Sequence, residues 1–110
     1  MRIVATRKSK EFWTENKAAE TVLCEWIKTV YLADWKTSAD VRKTYNSTNI
    51  YKNCTIFDVG GNRYRIIAKV EYQIHIVFIR FVMTHSEYDE KKWQSELHIN
   101  LRSSGDDLQS

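Results

Sequence analysis

Five side chains able to do chemistry on a phosphodiester are crowded into one stretch, Gly60 to Asp89: Arg63, Arg65, Arg80, His85 and Tyr88. A guanidinium is a planar, permanently charged fork that suits the charge developing on a phosphorus centre under attack. Histidine has the unperturbed pKa for acid or base work near neutrality, and tyrosine can share a proton when cations lie nearby. Charge stabilisation and proton transfer are together what RNA cleavage needs.

The positions of these residues depend on a change of period along the chain. Arg2 to Ala5 alternates as a short first strand. From Ser9 to about Ala33 the pattern is helical, with Phe12, Ala19, Leu23, Trp26, Ile27, Val30 and Tyr31 at three- and four-residue steps. A break at Thr14 to Lys17 splits it into two helices, with Asn16 as a candidate cap. Thr37-Ser-Ala-Asp40 has the spacing of a capping box and opens a third helix through Tyr45, and Asn46 to Lys52 reads as a polar loop. The period then becomes two: Cys54 to Val59, Arg63 to Glu71 and Ile74 to Met83 are strands. Thr84-His-Ser-Glu87 repeats the capping-box spacing and starts a short closing helix.

Strand parity places the candidate site. A two-residue turn at Gly61-Asn62 sets Asp58 opposite Arg65, and a turn at Tyr72-Gln73 sets Arg65 opposite Arg80. Asp58, Arg65 and Arg80 then form one solvent-facing row. Phe57, Tyr64, Ile66, Ala68, Val70, Val77, Ile79 and Phe81 form an apolar face against the helices. The row depends on loop length, and a one-residue bulge breaks it.

Arg80 interrupts an otherwise apolar strand, IHIVFIRFVM, where a charge is costly unless it is used. Arg65 and Arg80 are therefore assigned to the transition state. His85 and Tyr88, three residues apart on one helix face with Lys92 a turn further, are assigned to proton transfer. Arg63 and Lys69 flank Arg65 at the same parity, and Lys91 and Lys92 extend the groove as RNA-backbone contacts that carry no base specificity. Trp13, Trp26 and Trp35 read as packing residues, although an exposed one could stack on a base. His75, His85 and His98 are scattered with no paired carboxylates, so neither a metal nor another cofactor is expected.

A chain of 110 residues suits one domain and is too short for a cofactor domain plus a substrate domain. Its 17 Lys/Arg against 14 Asp/Glu give a net charge of +3. The end, with Arg102 against Glu96, Asp106 and Asp107, is mildly acidic, so the body is more basic than the whole and suits an anionic ligand. Residues 1–102 are expected to form the domain and residues 103–110 a frayed tail. No apolar run approaches the roughly 20 residues that span a bilayer, and MRIVATRKSK reads as a strand rather than a secretion signal. Cys24 and Cys54, each in an apolar pattern, are expected to be buried thiols in a reducing cytoplasm.

The blocks GGNRYR, IRFVMTH and EYD, with ADWKTSADVRKTY (Ala33 to Tyr45) and KEFW (Lys10 to Trp13) upstream, resemble the HigB family of the RelE/ParE toxin superfamily. The resemblance runs from about Met1 to Trp93. It implies an α+β, RelE-like domain whose N-terminal helices pack on one face of a mainly antiparallel four-stranded sheet. It also implies an mRNA interferase that cleaves without metal through attack by the 2′-hydroxyl, probing mRNA in the ribosomal A site. His85 or Tyr88 would handle protons while Arg65 and Arg80 hold the phosphate. The implied partner is a HigA-like helix-turn-helix antitoxin, through which alone the toxin would meet DNA. The other reading is a non-enzymatic, ParE-like toxin that inhibits a protein such as DNA gyrase, with the arginines as interface anchors.

Overall fold

The structure, a computed structural model, describes residues 1–95. The frayed tail expected at 103–110, the last residues of the expected domain and His98 lie outside the described residues. The element order is β1 (Arg2–Val4), α1 (Arg7–Glu15), a 3-10 turn (Lys17–Ala19), α2 (Glu20–Leu32), α3 (Ser38–Thr44), β2 (Asn49–Tyr51), β3 (Cys54–Val59), β4 (Tyr64–Glu71), β5 (Ile76–Thr84) and α4 (His85–Glu90).

The break expected at Thr14 to Lys17 is present. Asn16 serves the end of the helix before it: both its backbone N–H and its Nδ2 donate to the Phe12 carbonyl. In α2 the residues Leu23, Trp26 and Val30 recur at helical spacing and are fully buried, together with Ala19 just before them. They pack on Phe57, Ile66, Ala68, Val77 and Ile79 of the sheet. Trp26 meets Phe57 edge-on at 5.2 Å, and Trp35 stacks on the same ring at 6.0 Å. Tyr31 and Leu32, at the end of α2, are 69% and 71% exposed. The start of α3 has the expected reciprocal form, with Asp40 Oδ2 accepting from the N–H groups of Lys36 and Thr37. Those donors, the Lys36 bond foremost, hold the Asp40 carboxyl below its usual value.

The sheet has five strands in the order β1-β5-β4-β3-β2 and is mixed, because β1 runs parallel to β5. This corrects the four-stranded expectation. The extra strand is β2, inside the segment read as a polar loop, where Asn49, Ile50 and Tyr51 pair antiparallel with β3. An edge strand of three residues with Asn, Tyr and an exposed Ile has no hydrophobic alternation to betray it.

The register settles the proposed row of charges. Gly60, Gly61 and Asn62 all take positive φ, and Arg63 N–H donates to the Gly60 carbonyl, closing the tight turn. Asp58 therefore lies opposite Arg65, as parity predicts. The second hairpin differs. Its turn spans Tyr72–His75, β5 starts at Ile76 rather than Ile74, and a register shift falls between Ile67 and Ala68. Ile67 pairs with Phe81 but Ala68 pairs with Ile79, which leaves Arg80 as the extra residue of a bulge. Arg65 lies opposite Met83, so the Arg65–Arg80 row does not form.

The bulge also moves Phe81 off the helix-facing surface. It joins a second apolar cluster of Cys54, Ile56, Ile67, Met83 and Trp93 on the other face, with Tyr51 and Tyr88 against it. Both faces of the sheet thus carry apolar packing. The face expected to be open to solvent is largely covered.

Candidate active site

The site sits where β4 begins and β5 ends. Thr84 accepts at Oγ1 from the Glu87 N–H and donates its own N–H to Glu87 Oε1, the capping box anticipated from the sequence. It starts α4 directly at His85. The His85 N–H donates to the Arg63 carbonyl at 2.8 Å, so the first residue of α4 is tied to the strand opposite.

Arg65 is the hub. It is 5% exposed, not solvent-facing as the row required. A guanidinium has five N–H donors, and each has a partner. Nε meets Asp58 Oδ1 at 2.8 Å; Nη1 donates to the carbonyls of Asn62 and Tyr64. Nη2 donates to Asn62 Oδ1 at 2.7 Å and lies 2.8 Å from His85 Nδ1. Its cationic carbon also sits 5.1 Å from the centre of the Tyr88 ring.

Tyr88 has two close neighbours. The Arg65 guanidinium lies over its ring, and Trp93 stacks in parallel on it at 5.2 Å, while Tyr51 meets Trp93 edge-on. Burial pushes the Tyr88 phenol above its ordinary value; the Arg65 charge pulls it back, and Asp58 and Asp89 push it further up. Tyr88 is therefore a phenol near neutral pH, a donor and not a phenolate. His85 Nε2 lies 3.1 Å from Asp89 Oδ2, one helical turn along α4.

The other expected site residues are more dispersed. Arg80 is half-buried at the bulge, separated from Arg65 by the Ile66–Val82 and Ile67–Phe81 pairs. Its carbonyl accepts from Lys8 Nζ of α1 at 2.8 Å. The Arg80 and Lys69 charges both reach Cys54, whose thiol burial nevertheless pushes up. Lys69 pairs with Glu71 at 3.0 Å. Arg63 is exposed, with Nε donating to the Gly60 carbonyl and its guanidinium over the Tyr64 ring. Lys91 and Lys92 are exposed, but they do not continue α4: the helix ends at Glu90 and Lys91 takes a left-handed φ of 61°. That turn folds the chain back, so Trp93 Nε1 donates to the Tyr88 carbonyl and its ring buries under the site.

Parity and helix spacing thus bring Arg65, His85 and Tyr88 together but not Arg63, Lys69, Arg80, Lys91 and Lys92. Three contributors went unrecognised. Asn62 was assigned to the turn alone, yet it holds Arg65 through both its carbonyl and its side chain. Asp89 stands four residues after His85, a spacing that signals a helical pair. Trp93 had no signal, because a lysine rather than glycine makes the reversal before it.

Among the described residues no helix is long and apolar enough to cross a membrane. N-terminal helices against one face of a mixed sheet, with arginine, histidine and tyrosine clustered at the end of β5, define a small basic α+β protein of RelE-like design. A family model, HigB_toxin, the RelE-like toxic component of a toxin-antitoxin system, matches residues 19–91, and the chain belongs to that family. It is 50% identical over 34 residues, 31% of this chain, to the mRNA interferase toxin HigB of Escherichia coli strain K12. The same identity over the same length holds for proteins named mRNA interferase HigB from Escherichia coli O157:H7 and Shigella flexneri. The match spans 33% of the length of these curated relatives.

Proposed function

We propose that this protein is the toxin of a type II toxin-antitoxin pair and acts in the cytoplasm as an mRNA interferase. The observation that carries this reading is the convergence of Arg65, His85 and Tyr88 at the end of β5 in a chain of the HigB toxin family. RNA's 2′-hydroxyl, giving up its proton to solvent water, attacks the adjacent phosphorus as the bond to the 5′-oxygen breaks. The products are a 2′,3′-cyclic phosphate and a 5′-hydroxyl, and DNA, lacking the 2′-hydroxyl, is not cut. Tyr88, a phenol at neutral pH, gives the leaving oxygen its proton. His85 stands beside it as a second polar group at the phosphate. Arg80 supplies charge to the transition state, and Arg65 does so from beneath, its field reaching the site through His85 and Tyr88. Arg63, Lys69, Lys91 and Lys92 hold the backbone on either side.

The partner in this reading is a HigA-like helix-turn-helix antitoxin, through which alone the toxin meets DNA, and the substrate is mRNA in the ribosomal A site. The test is induction of the chain by itself in a bacterium, with primer extension on cellular mRNA after a short interval. New 5′-ends, falling translation and growth arrest relieved by the neighbouring antitoxin are expected. Normal growth despite soluble expression contradicts a toxin. Arrest without cleavage, with tight binding to gyrase, points instead to a ParE-like inhibitor.

A further inference from the structure

We propose that Arg65 sets the tautomer of His85, so that the histidine meets its substrate as a neutral imidazole donating from Nε2, with Arg65 as a positioning residue. The distances come from the structure alone; the use of the donated hydrogen bond rests on the function proposed above.

The assignment follows from which atoms can donate. Arg65 Nη2 has only N–H groups to offer and lies 2.8 Å from His85 Nδ1, so Nδ1 accepts with its lone pair. A neutral imidazole has one N–H, which must then be on Nε2. The opposite side of the ring gives the same answer independently. Nε2 faces Asp89 Oδ2 at 3.1 Å, and a carboxylate accepts and does not donate.

Arg65 does not let the ring turn the other way. Arg65 is held by Asp58 at Nε, by two carbonyls at Nη1 and by Asn62 Oδ1 at Nη2, so turning it would break contacts on the whole fork. The backbone of His85 is fixed to Arg63 by its own N–H. Strand β4 and the turn before it therefore dictate which nitrogen of a histidine on α4 carries the proton.

The chemical consequence is a division of labour. The basic lone pair of His85 points into the protein, against Arg65, and cannot take a proton from an attacking 2′-hydroxyl. Its Nε2–H points to the surface, where the side chain is 45% exposed. A phosphate oxygen can replace Asp89 there and accept that hydrogen bond as negative charge builds on it. A neutral imidazole used as an N–H donor to developing charge is an established catalytic device. Proton donation to the leaving group then falls to Tyr88.

Two measurements test this. Long-range proton–nitrogen-15 correlation on the labelled full chain, at a pH where the ring is neutral, reads the tautomer directly. Nε2–H is expected in the wild type and equally in Asp89→Ala, where Arg65 alone remains to set it. A ring protonated at Nδ1, or a mixture of tautomers, in a folded Asp89→Ala overturns the proposal, as does a wild-type ring protonated at Nδ1. The wild-type spectrum decides the tautomer even if Asp89→Ala does not fold.

The second measurement is single-turnover cleavage of mRNA, with ribosomes supplied, by His85→Gln and His85→Asn. Glutamine places an N–H where Nε2 stands, and asparagine cannot reach it. His85→Gln should keep cleavage within about tenfold of wild type, while His85→Asn falls by about 100-fold or more, the range for losing a group that acts in the transition state. Equal and severe loss in both variants means that His85 transfers a proton, and the proposal fails. A wild type that shows the Nε2–H ring but cuts no RNA refutes the nuclease reading while leaving the Arg65–His85 relationship intact.

Discussion

Arg65 Nε and Asp58 Oδ1 meet at 2.8 Å across the β3–β4 ladder, on the sheet face that α4 and Trp93 cover. The Arg65 side chain is only 6% exposed, so the pair is a buried one with the guanidinium as the deeper partner. Removing one member of such a pair leaves a charge without compensation and typically costs about 3–5 kcal/mol. Asp58 keeps some contact with water, which puts Asp58→Asn near the lower end, about 3 kcal/mol. Arg65→Ala should cost at least as much, because Asn62, Asp58 and His85 all lose a partner. Urea denaturation checks both; stability unchanged in either variant would show the pair to be dispensable.

The Asp58–Arg65 pairing was readable from the sequence because Gly61-Asn62 leaves one choice of turn and strand parity does the rest. The Arg65–Arg80 pairing was not, because two errors compound. The four-residue turn at Tyr72–His75 and the bulge at Arg80 each move the register, and neither carries a glycine or proline as a marker. His75 takes positive φ in the first case and Lys91 does so after α4, and neither is a glycine. The helical core was legible from spacing alone, as Leu23, Trp26 and Val30 show. The second apolar cluster was not, because it is assembled from a bulged strand and a reversal after α4.

The two cysteines should differ sharply in reactivity. Both were expected to be buried, but Cys24 is exposed on α2 and only Cys54 is enclosed. Burial raises the Cys54 thiol pKa, an effect that the Arg80 and Lys69 charges only partly offset, so little reactive thiolate forms there. A thiol reagent under native conditions should modify one site per chain quickly, and Cys24→Ser should remove that phase. Cys54 should react only on unfolding. Two fast sites in the native protein would mean that the second cluster opens readily.

Tyr88 gives a pH dependence of definite sign. The folded protein holds the phenolic proton more tightly than the unfolded chain, chiefly through burial. The resulting stabilisation is fully present below the unfolded value of about 10 and is lost as pH rises through the higher folded value. Tyr45 and Tyr72 are shifted in the same direction, so the comparison must be with Tyr88→Phe. The wild type should lose stability more steeply above about pH 10 than this variant does. Parallel curves would place the hydroxyl in water. At neutral pH the same variant should lower single-turnover cleavage by about 100-fold or more, the usual effect of removing a general acid.

Arg80 separates a catalytic charge from a scaffolding one. It occupies a bulge, which re-aims a side chain relative to its neighbours. Its backbone is anchored independently, since Lys8 reaches the Arg80 carbonyl from α1, and that bond survives a change of side chain. Arg80→Ala should therefore keep the fold, with a thermal midpoint within a few degrees of wild type. Cleavage should fall by about 100-fold, as for loss of one donor that stabilises developing charge. Arg80→Lys keeps the charge but not the fork, and an intermediate loss is expected. The check is single-turnover cleavage beside a thermal melt and an RNA-binding titration on each variant. If Arg80→Ala unfolds, the guanidinium serves the sheet. If it stays folded and cleaves normally, charge at the bulge takes no part in the chemistry, and the transition state must rely on Arg65, His85 and Tyr88 alone.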